Sequence, residues 1–298
     1  MTDTEGVVST TRFADLLDLA KVDDDTWLGF SLPYPWGRIY GGQVMAQALW
    51  AAWETIDVDV LPHSLHAYFI LPGDLSEPVR YEVDRLRDGR SFVTRRVVAR
   101  QSDGAILNLS ASFHVDEGGT EIQGATMPTD VDPPDAVESS SWLPVLDRRS
   151  VDDPLASANE RSWFKVEGEM PEDPCAHACA HVFLSDSLPT RAVLGLQPAW
   201  NPARPLDHPY VAASLDHSMW FHRPQRGDAW TLHDVEAETF VSARGLTTGR
   251  LYSRDGLLVA SSAQQVLVRT RRAPTPEGAA GEGSGGNRLH QGSPRTRG

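Results

Sequence analysis

The feature that most constrains the fold of this chain is an internal repeat with a spacing of 152 residues. The segment LDHSMWFHRP at residues 215–224 aligns without a gap with HSLHAYFILP at residues 63–72. The register continues downstream at equivalent apolar positions, which are Val83 and Val235, Ile106 and Leu258, and Ala111 and Ala263. Because a chance match would lose its register over this distance, we interpret the chain as two tandem copies of one fold.

The length and charge of the chain narrow its function class. The 298 residues are enough for two domains of ordinary size, each with its own core. A net charge of -14 argues against broad nucleic-acid binding, which needs a basic face. An anionic small ligand is still compatible with this charge, because a few local arginines are sufficient to hold its phosphates.

Several absences predict a cytoplasmic protein. The sequence has no apolar run of 18 or more residues, so no membrane span is predicted. The N-terminus lacks the basic start and apolar core of a secretory signal peptide. Two cysteines, Cys175 and Cys179, do not form a disulfide framework, and a reducing location is expected.

The hydrophobic pattern predicts the same order of elements in both halves. In the first half, Val44, Ala48 and Ala51 fall on one side of a predicted helix that begins at Gly41-Gly42. Apolar or alternating runs joined by turns predict antiparallel strands at 59–70, 78–87, 91–101 and 105–115. The second half repeats this plan, with a helix through 176–186 and strands at about 210–222, 229–238, 242–253 and 257–269.

Composition predicts where the two units begin and end. We expect a first unit at 13–115 and a second at 151–270. Between them, residues 116–150 are rich in acidic residues, glycine, serine and proline, which is typical of a linker. The glycine-rich segment 271–298 is poor in apolar residues and is expected to be disordered.

Familiar catalytic and metal-binding motifs are absent or misleading. No serine lies in a G-x-S-x-G motif, which argues against a nucleophile-elbow hydrolase. A G-x-G-x-x-G match at 281–286 lies in the tail with no strand before it. Two cysteines and two histidines alternate along the second helix at 175–181, so only the i,i+4 pairs share a face and no metal site is predicted.

The two halves differ most informatively at polar positions. In the alignment of the two halves, Gln264 corresponds to Ser112, and Ser214 corresponds to Pro62. A duplicated fold that keeps the amide and the hydroxyl in one half only is expected to have one active site, or one per pair of units. The alternative is that these are ordinary polar strand residues that point to solvent.

Several blocks together resemble the type II bacterial acyl-CoA thioesterases, the double-hotdog family. The blocks include YGGQVMAQAL at 40–49, HSLHAYFILPGD at 63–74, LSD at 184–186, LDHSMWFHRP at 215–224 and DGLLVASSAQ at 255–264. They span about 13–270. The resemblance implies an α+β fold of two tandem hotdog units, each with an antiparallel sheet wrapped round a central helix, and it implies self-association into a homo-oligomer.

The resemblance also implies a catalytic trio in the second unit, with no cofactor and no metal. By position in the family's motifs, the trio here is Asp186, Ser214 and Gln264, and Ser214 stands where the family has a threonine. Asp186 is expected to act as the base that accepts a proton from water, while Gln264 and Ser214 hold that water. A purely structural role for Asp186 as a helix N-cap is the alternative.

The implied activity is the hydrolysis of acyl-CoA to a free fatty acid and CoA. Two alternatives remain, namely a hotdog enoyl-CoA hydratase and a non-catalytic acyl-CoA binder. Basic residues are expected to contact the CoA phosphates, and the candidates are Arg90, Arg95, Arg96, Arg223 and Arg244.

Overall fold

The computed structural model describes residues 8–151, 158–201, 204 and 208–271. The helices are α1 (Gly41–Trp53), α2 (Pro174–Ser185) and α3 (Pro189–Gly195), with short 3-10 helices at Phe13–Leu17 and Pro134–Ala136. The strands are β1 (Ala20–Asp23), β2 (Thr26–Gly29), β3 (Leu61–Phe69), β4 (Val79–Asp88), β5 (Phe92–Gln101), β6 (Gly104–His114), β7 (Leu146–Ser150), β8 (Asn159–Val166), β9 (Tyr210–Ser214), β10 (Asp216–Phe221), β11 (Thr231–Val241), β12 (Arg244–Ser253) and β13 (Leu258–Thr270).

All thirteen strands belong to one antiparallel sheet. Its order is β1-β2-β4-β5-β6-β3-β10-β13-β12-β11-β8-β7, and β9 pairs separately with β13. The two units join where β3 pairs with β10, and there Leu65 lies opposite Met219. The strand order on one side of this junction repeats on the other side, which confirms the predicted duplication and the predicted antiparallel hairpins.

The two central helices lie against each other inside the curved sheet and run in opposite directions. The end of α1 contacts the start of α2, because Trp53 Nε1 donates to Asp173 Oδ2 at 3.1 Å. The start of α1 contacts the end of α2, because Gly42 N donates to Asp186 Oδ2 at 2.9 Å. The alanines of α1 are fully buried, as expected for a helix wrapped by other elements; they are Ala46, Ala48, Ala51 and Ala52.

One extra residue interrupts the sheet at the same place in both halves. Between β3 and β6 the register shifts between Pro62 and Ser64. In the second half, Ser214 faces Val266 while Ser218 faces Ala263, so the segment from β9 to β10 contains one residue more than β13 does. This bulge corrects the prediction of a single strand over 210–222, because the chain breaks there into β9 and β10 at Leu215.

The predicted linker at 116–150 contains more structure than its composition indicates. Its last residues form β7, which pairs with β8 at the edge of the second unit. Leu143 and Val145 are buried just before this strand, and Trp142 packs on the aromatic rings of Tyr34 and Tyr40. A few apolar residues among serines and acids are therefore sufficient to anchor the segment. The division of the chain into units stays a prediction.

Two further predictions concern the ends of the chain and the membrane. The predicted disordered tail and its G-x-G-x-x-G match lie outside the described residues, apart from Arg271. Within the described ranges, no helix is both long enough and apolar enough to cross a membrane.

Candidate active site

Asp186 lies at the end of α2, where it is the C-terminal cap of the helix. Its backbone N–H donates to Leu184 O, and its side chain is only 7 % exposed. The alternative of a helix N-cap is therefore wrong for α2, and α3 begins only after a second turn with Leu188 as its N-cap. The carboxylate points away from its own helix, toward the strands and the start of α1.

The structure brings the three predicted residues together. Gln264 Nε2 donates to Asp186 Oδ1 at 2.8 Å and contacts Ser214 Oγ at 2.8 Å. Ser214 Oγ donates to the same carboxylate oxygen at 3.2 Å. Residues that are 28 and 78 positions from Asp186 along the chain thus converge on one oxygen atom. We call these three residues the polar trio.

The bulge explains how Ser214 reaches the carboxylate. Ser214 ends β9, and the chain then steps past one extra residue before β10 begins at Asp216. The step is fixed by Leu215 N, which donates to Gln265 O at 2.9 Å, and by Gln265 N, which donates to Asp216 Oδ1 at 2.9 Å. A bulge redirects a side chain at the point where strand pairing is interrupted, and here it places a hydroxyl beside Asp186.

The second carboxylate oxygen caps a different helix. Asp186 Oδ2 accepts from the N–H of Gly42 in the first turn of α1, whose own N-cap residue, Tyr40, makes no side-chain capping bond. A negative charge at a helix N-terminus is favoured by the helix dipole. The approach is so close that only glycine fits: a Cβ on Gly42 would lie 2.5 Å from Phe183 O, and one on Gly41 would lie 2.8 Å from Asp186 Oδ2.

The pKa of Asp186 reflects two opposing effects. Burial raises the pKa of the carboxyl group from 3.8 to about 6, although hydrogen bonds from Gln264, Ser214 and Gly42 and the charge of Arg38 lower it. At neutral pH the carboxylate is still mostly ionised, yet it is a stronger base than an exposed aspartate. This is the range in which a carboxylate works well as a general base.

Three neighbours of the polar trio were not predicted. His217 and Ser185 lie behind Gln264, with His217 Nδ1 2.6 Å from Gln264 Oε1 and His217 Nε2 3.0 Å from Ser185 Oγ. Arg38 is exposed at the side of the trio, where its guanidinium donates to Ala212 O at 3.0 Å. The position of His217 inside the central repeat segment was a signal that could have identified it.

The predicted phosphate-binding arginines fall into three groups. Arg95 is fully buried and bonds Thr55, Asp88 and nearby carbonyl groups, so it is not available to a ligand. Arg96 pairs with Asp84, and Arg223 pairs with Glu121. Within the described chain, Arg90 and Arg244 are exposed and form no ion pair.

The alternating cysteines and histidines of α2 have packing roles. Both thiols are buried, and His177 Nδ1 accepts from Gly227 N at 3.2 Å. His181 Nε2 lies 3.1 Å from Gln225 O, so both rings face the segment between β10 and β11. A cavity of about 780 Å³ lies near this segment, beside Pro62, His63 and Pro174, and not beside the polar trio.

Comparisons with known proteins agree with this architecture. Residues 31–114 match the family described as acyl-CoA thioesterase N-terminal domain, and residues 123–268 match the acyl-CoA thioesterase C-terminal domain. Acyl-CoA thioesterase 2 from Haemophilus influenzae is 35% identical over 280 residues, which cover 85% of this chain and 96% of that protein.

Solved structures show the same fold. The acyl-CoA thioesterase II TesB2 from Mycobacterium marinum superposes with a TM-score of 0.74 at 34% identity, over 87% of this chain and 98% of its own. A hot dog fold protein from Alicyclobacillus acidocaldarius superposes with a TM-score of 0.70 at 22% identity, over 90% of this chain and 100% of its own. The fold is therefore the predicted double hotdog, and the chain belongs to the acyl-CoA thioesterase family.

Proposed function

We propose that the chain hydrolyses acyl-CoA to a free fatty acid and CoA by direct attack of a water molecule that Asp186 activates. Membership of the thioesterase family supports the reaction, and the convergence of the polar trio on one buried carboxylate supports the mechanism. The proposal depends most on that convergence, because a general base must lie within hydrogen-bond reach of the groups that position its water.

Each group of the site has a distinct task in this mechanism. Asp186 removes a proton from water while the water oxygen bonds to the thioester carbonyl carbon. Ser214 and Gln264 hold the water by hydrogen bonds. When the C–S bond breaks, the proton held by Asp186 passes to the departing thiolate, so the products are a carboxylic acid and the free thiol of CoA.

The start of α1 is suited to stabilise the oxyanion that forms during attack. Gly42 N is occupied by Asp186, whereas the N–H of Gly41 has no hydrogen-bond acceptor within the described residues. A backbone N–H aimed at a developing oxyanion contributes about 3 kcal/mol to a transition state of this kind. The glycines are thus proposed to serve both the approach of Asp186 and the binding of the carbonyl oxygen.

The geometry disfavours a hydratase. Hydratases of this fold type use a carboxylate paired with a histidine. The histidine nearest to the polar trio is His217, but its two ring nitrogens contact Gln264 and Ser185 and not Asp186. A non-catalytic binder is also disfavoured, because it would have no need for a buried carboxylate with a raised pKa.

The test is thiol release from acyl-CoAs of graded chain length, measured for wild type and Asp186→Asn in parallel. We expect release by wild type and a loss of about 10²- to 10⁴-fold in the variant. Equal turnover by the two proteins would contradict the role of Asp186. Hydration of crotonyl-CoA without thiol release would support the hydratase, and tight acyl-CoA binding without any turnover would support the binder.

Assembly and location are further parts of the proposal. Tyr68 and Trp220 are exposed at 66% and 39% beside the junction of the two units, where a second copy could cover them in a homo-oligomer. The molar mass in solution, measured by light scattering, tests this. A cytoplasmic location remains our proposal from the sequence.

A further inference from the structure

His217 lies directly behind Gln264, on the side opposite Asp186. It is fully buried on β10, two residues after the bulge that positions Ser214. Its Nδ1 lies 2.6 Å from Gln264 Oε1, and its Nε2 lies 3.0 Å from Ser185 Oγ. A row of side chains therefore runs from the last turn of α2 through the imidazole and the amide to the carboxylate.

The amide of Gln264 must be held in one orientation for the site to work. Its nitrogen faces Asp186 and Ser214, and its oxygen faces His217. A rotation by 180° would place the amide oxygen against the carboxylate of Asp186, where two acceptors would repel each other. Since the amide oxygen only accepts, the group that faces it has to be a donor.

The protonation state of His217 decides whether such a donor exists. Burial lowers the pKa of His217 to about 4, so at neutral pH the ring is uncharged and carries a single N–H. That N–H has to lie on Nδ1 to satisfy Gln264. Nε2 is then an acceptor 3.0 Å from Ser185 Oγ. The single hydrogen of the Ser185 hydroxyl, which donates to Val182 O at 2.8 Å, has to turn toward Nε2 to satisfy it.

We propose that His217 is a positioning residue for hydrolysis, whose Nδ1–H fixes the Gln264 amide so that its N–H groups face Asp186 and Ser214. In this arrangement the Ser185 hydroxyl donates to Nε2 in place of Val182 O. This inference rests on the proposed function of the polar trio. The first half of the chain is consistent with this inference. There Ser112 replaces Gln264, and the position equivalent to His217 is occupied by Leu65, which has no donor.

A second buried histidine provides a matched control. His233 lies on β11 and is 1% exposed, and neither of its ring nitrogens has a hydrogen-bond partner within the described residues. Substituting it perturbs a buried ring of the same size without touching the polar trio. Effects that arise only from the loss of a packed imidazole should therefore appear equally at both positions.

The experiment compares His217→Asn, His217→Gln and His233→Asn by thiol release from acyl-CoA. Asparagine can place an N–H near the position of Nδ1, whereas glutamine places its amide near Nε2. We expect His217→Asn to keep most of the wild-type kcat and His217→Gln to lose about ten- to a hundredfold. KM should change little in both, because His217 does not line the surface that the substrate contacts.

The tautomer of wild-type His217 is an independent readout that needs no variant to fold. Long-range proton–nitrogen spectra of protein with ¹⁵N-labelled histidine should show its proton on Nδ1. A proton on Nε2, or equal losses of kcat in all three variants, would overturn the inference. If Asp186→Asn and Gln264→Ala retained full turnover, the proposed function would fail instead, while the tautomer would still test the contact between His217 and Gln264.

Discussion

The polar trio of the second unit and the equivalent positions of the first unit have the same backbone arrangement but different side chains. Both have the bulge. The first lies near the end of α1, where Trp53 packs on Phe113, and the second lies at the end of α2, where Ser214 bonds Asp186. In the first unit, however, Pro62 replaces Ser214 and Ser112 replaces Gln264, and Ser112 Oγ contacts His63 at 2.8 Å. The fold therefore supplies two suitable positions, and side chains make only one of them a site.

The ends of the two helices differ in the same way. Glu54 caps the C-terminus of α1 as Asp186 caps α2, but Glu54 is exposed. At the other ends, α2 is capped by its own Asp173, which accepts from Cys175 N at 2.8 Å. The start of α1 has no such residue and is capped by Asp186 from the neighbouring helix. The carboxylate of Asp186 is thus buried at the point where α2 caps α1.

After the loss expected for Asp186→Asn, the largest effect is expected from removing the amide of Gln264. Gln264→Ala loses the hydrogen bonds to Asp186 and Ser214, and we expect a fall in kcat of about 10²- to 10³-fold. Ser112→Ala removes the equivalent side chain of the first unit and should change thiol release little. Similar losses in the two variants would show that the effect comes from the sheet and not from the site.

The next largest effect is that of pH. Because the proposed base Asp186 must be ionised to act and its pKa is about 6, kcat/KM should rise about tenfold per pH unit below 6 and level off above it. The free energy of unfolding should respond in the opposite direction. Since burial raises this pKa above the ordinary 3.8, the group's contribution to stability falls as pH rises from about 4 to about 6.

Comparison with Asp186→Asn separates the two pH effects. In that variant the rise of kcat/KM through pH 6 should disappear from the residual activity. The difference in unfolding free energy between variant and wild type should change across the same window in denaturant titrations. A profile in the variant with the same midpoint as wild type would assign the titration to another group.

A smaller effect is expected at the start of α1. Gly42→Ala places a methyl group 2.5 Å from Phe183 O, so the two helices must separate slightly, at a cost of about 1–3 kcal/mol in unfolding free energy. Turnover should also fall, because the separation moves Gly42 N away from Asp186. Gly124→Ala is the control, since nothing lies within 4 Å of its added carbon, and both its melting temperature and its activity should be unchanged.

The smallest effect is expected from rebuilding the trio in the first unit. Pro62→Ser and Ser112→Gln together, placed in an Asp186→Asn background, should restore no turnover. The reason is that Glu54 is exposed and that Leu65 cannot hold the new amide as His217 holds Gln264. Recovery of thiol release in this variant would show that a hydroxyl and an amide are sufficient.

Much of this architecture was accessible from the sequence because it is local or repeated. Alternation and turns predicted the hairpins, and the repeat predicted that β3 and β10 are equivalent. The prediction of an N-cap at Asp186 was wrong because the chain continues as a further helix, α3, three residues later at Pro189. The contact between Gly42 and Asp186 joins residues 144 positions apart, and no local pattern encodes such a contact.

The role of His217 and the position of β7 also could not be predicted from local sequence patterns. The role proposed for His217 depends on which atom of Gln264 faces it, and spacing along the chain carries no information about that. The strand Leu146–Ser150 pairs with β8, and its polar composition does not distinguish it from the linker before it. Sequence motifs predicted the members of the polar trio. Its neighbours, such as His217 and Gly42, could be identified only from the three-dimensional structure.

The capping of α1 by Asp186 has a consequence for the history of the duplication. The first copy has no trio of its own, yet its helix provides the N–H that donates to Asp186 of the second copy, and Tyr40 donates to Phe183 O at 2.8 Å beside it. Each copy has therefore become incomplete without the other. A gene split between the halves would yield two inert polypeptides, whose activity could return only when they reassemble.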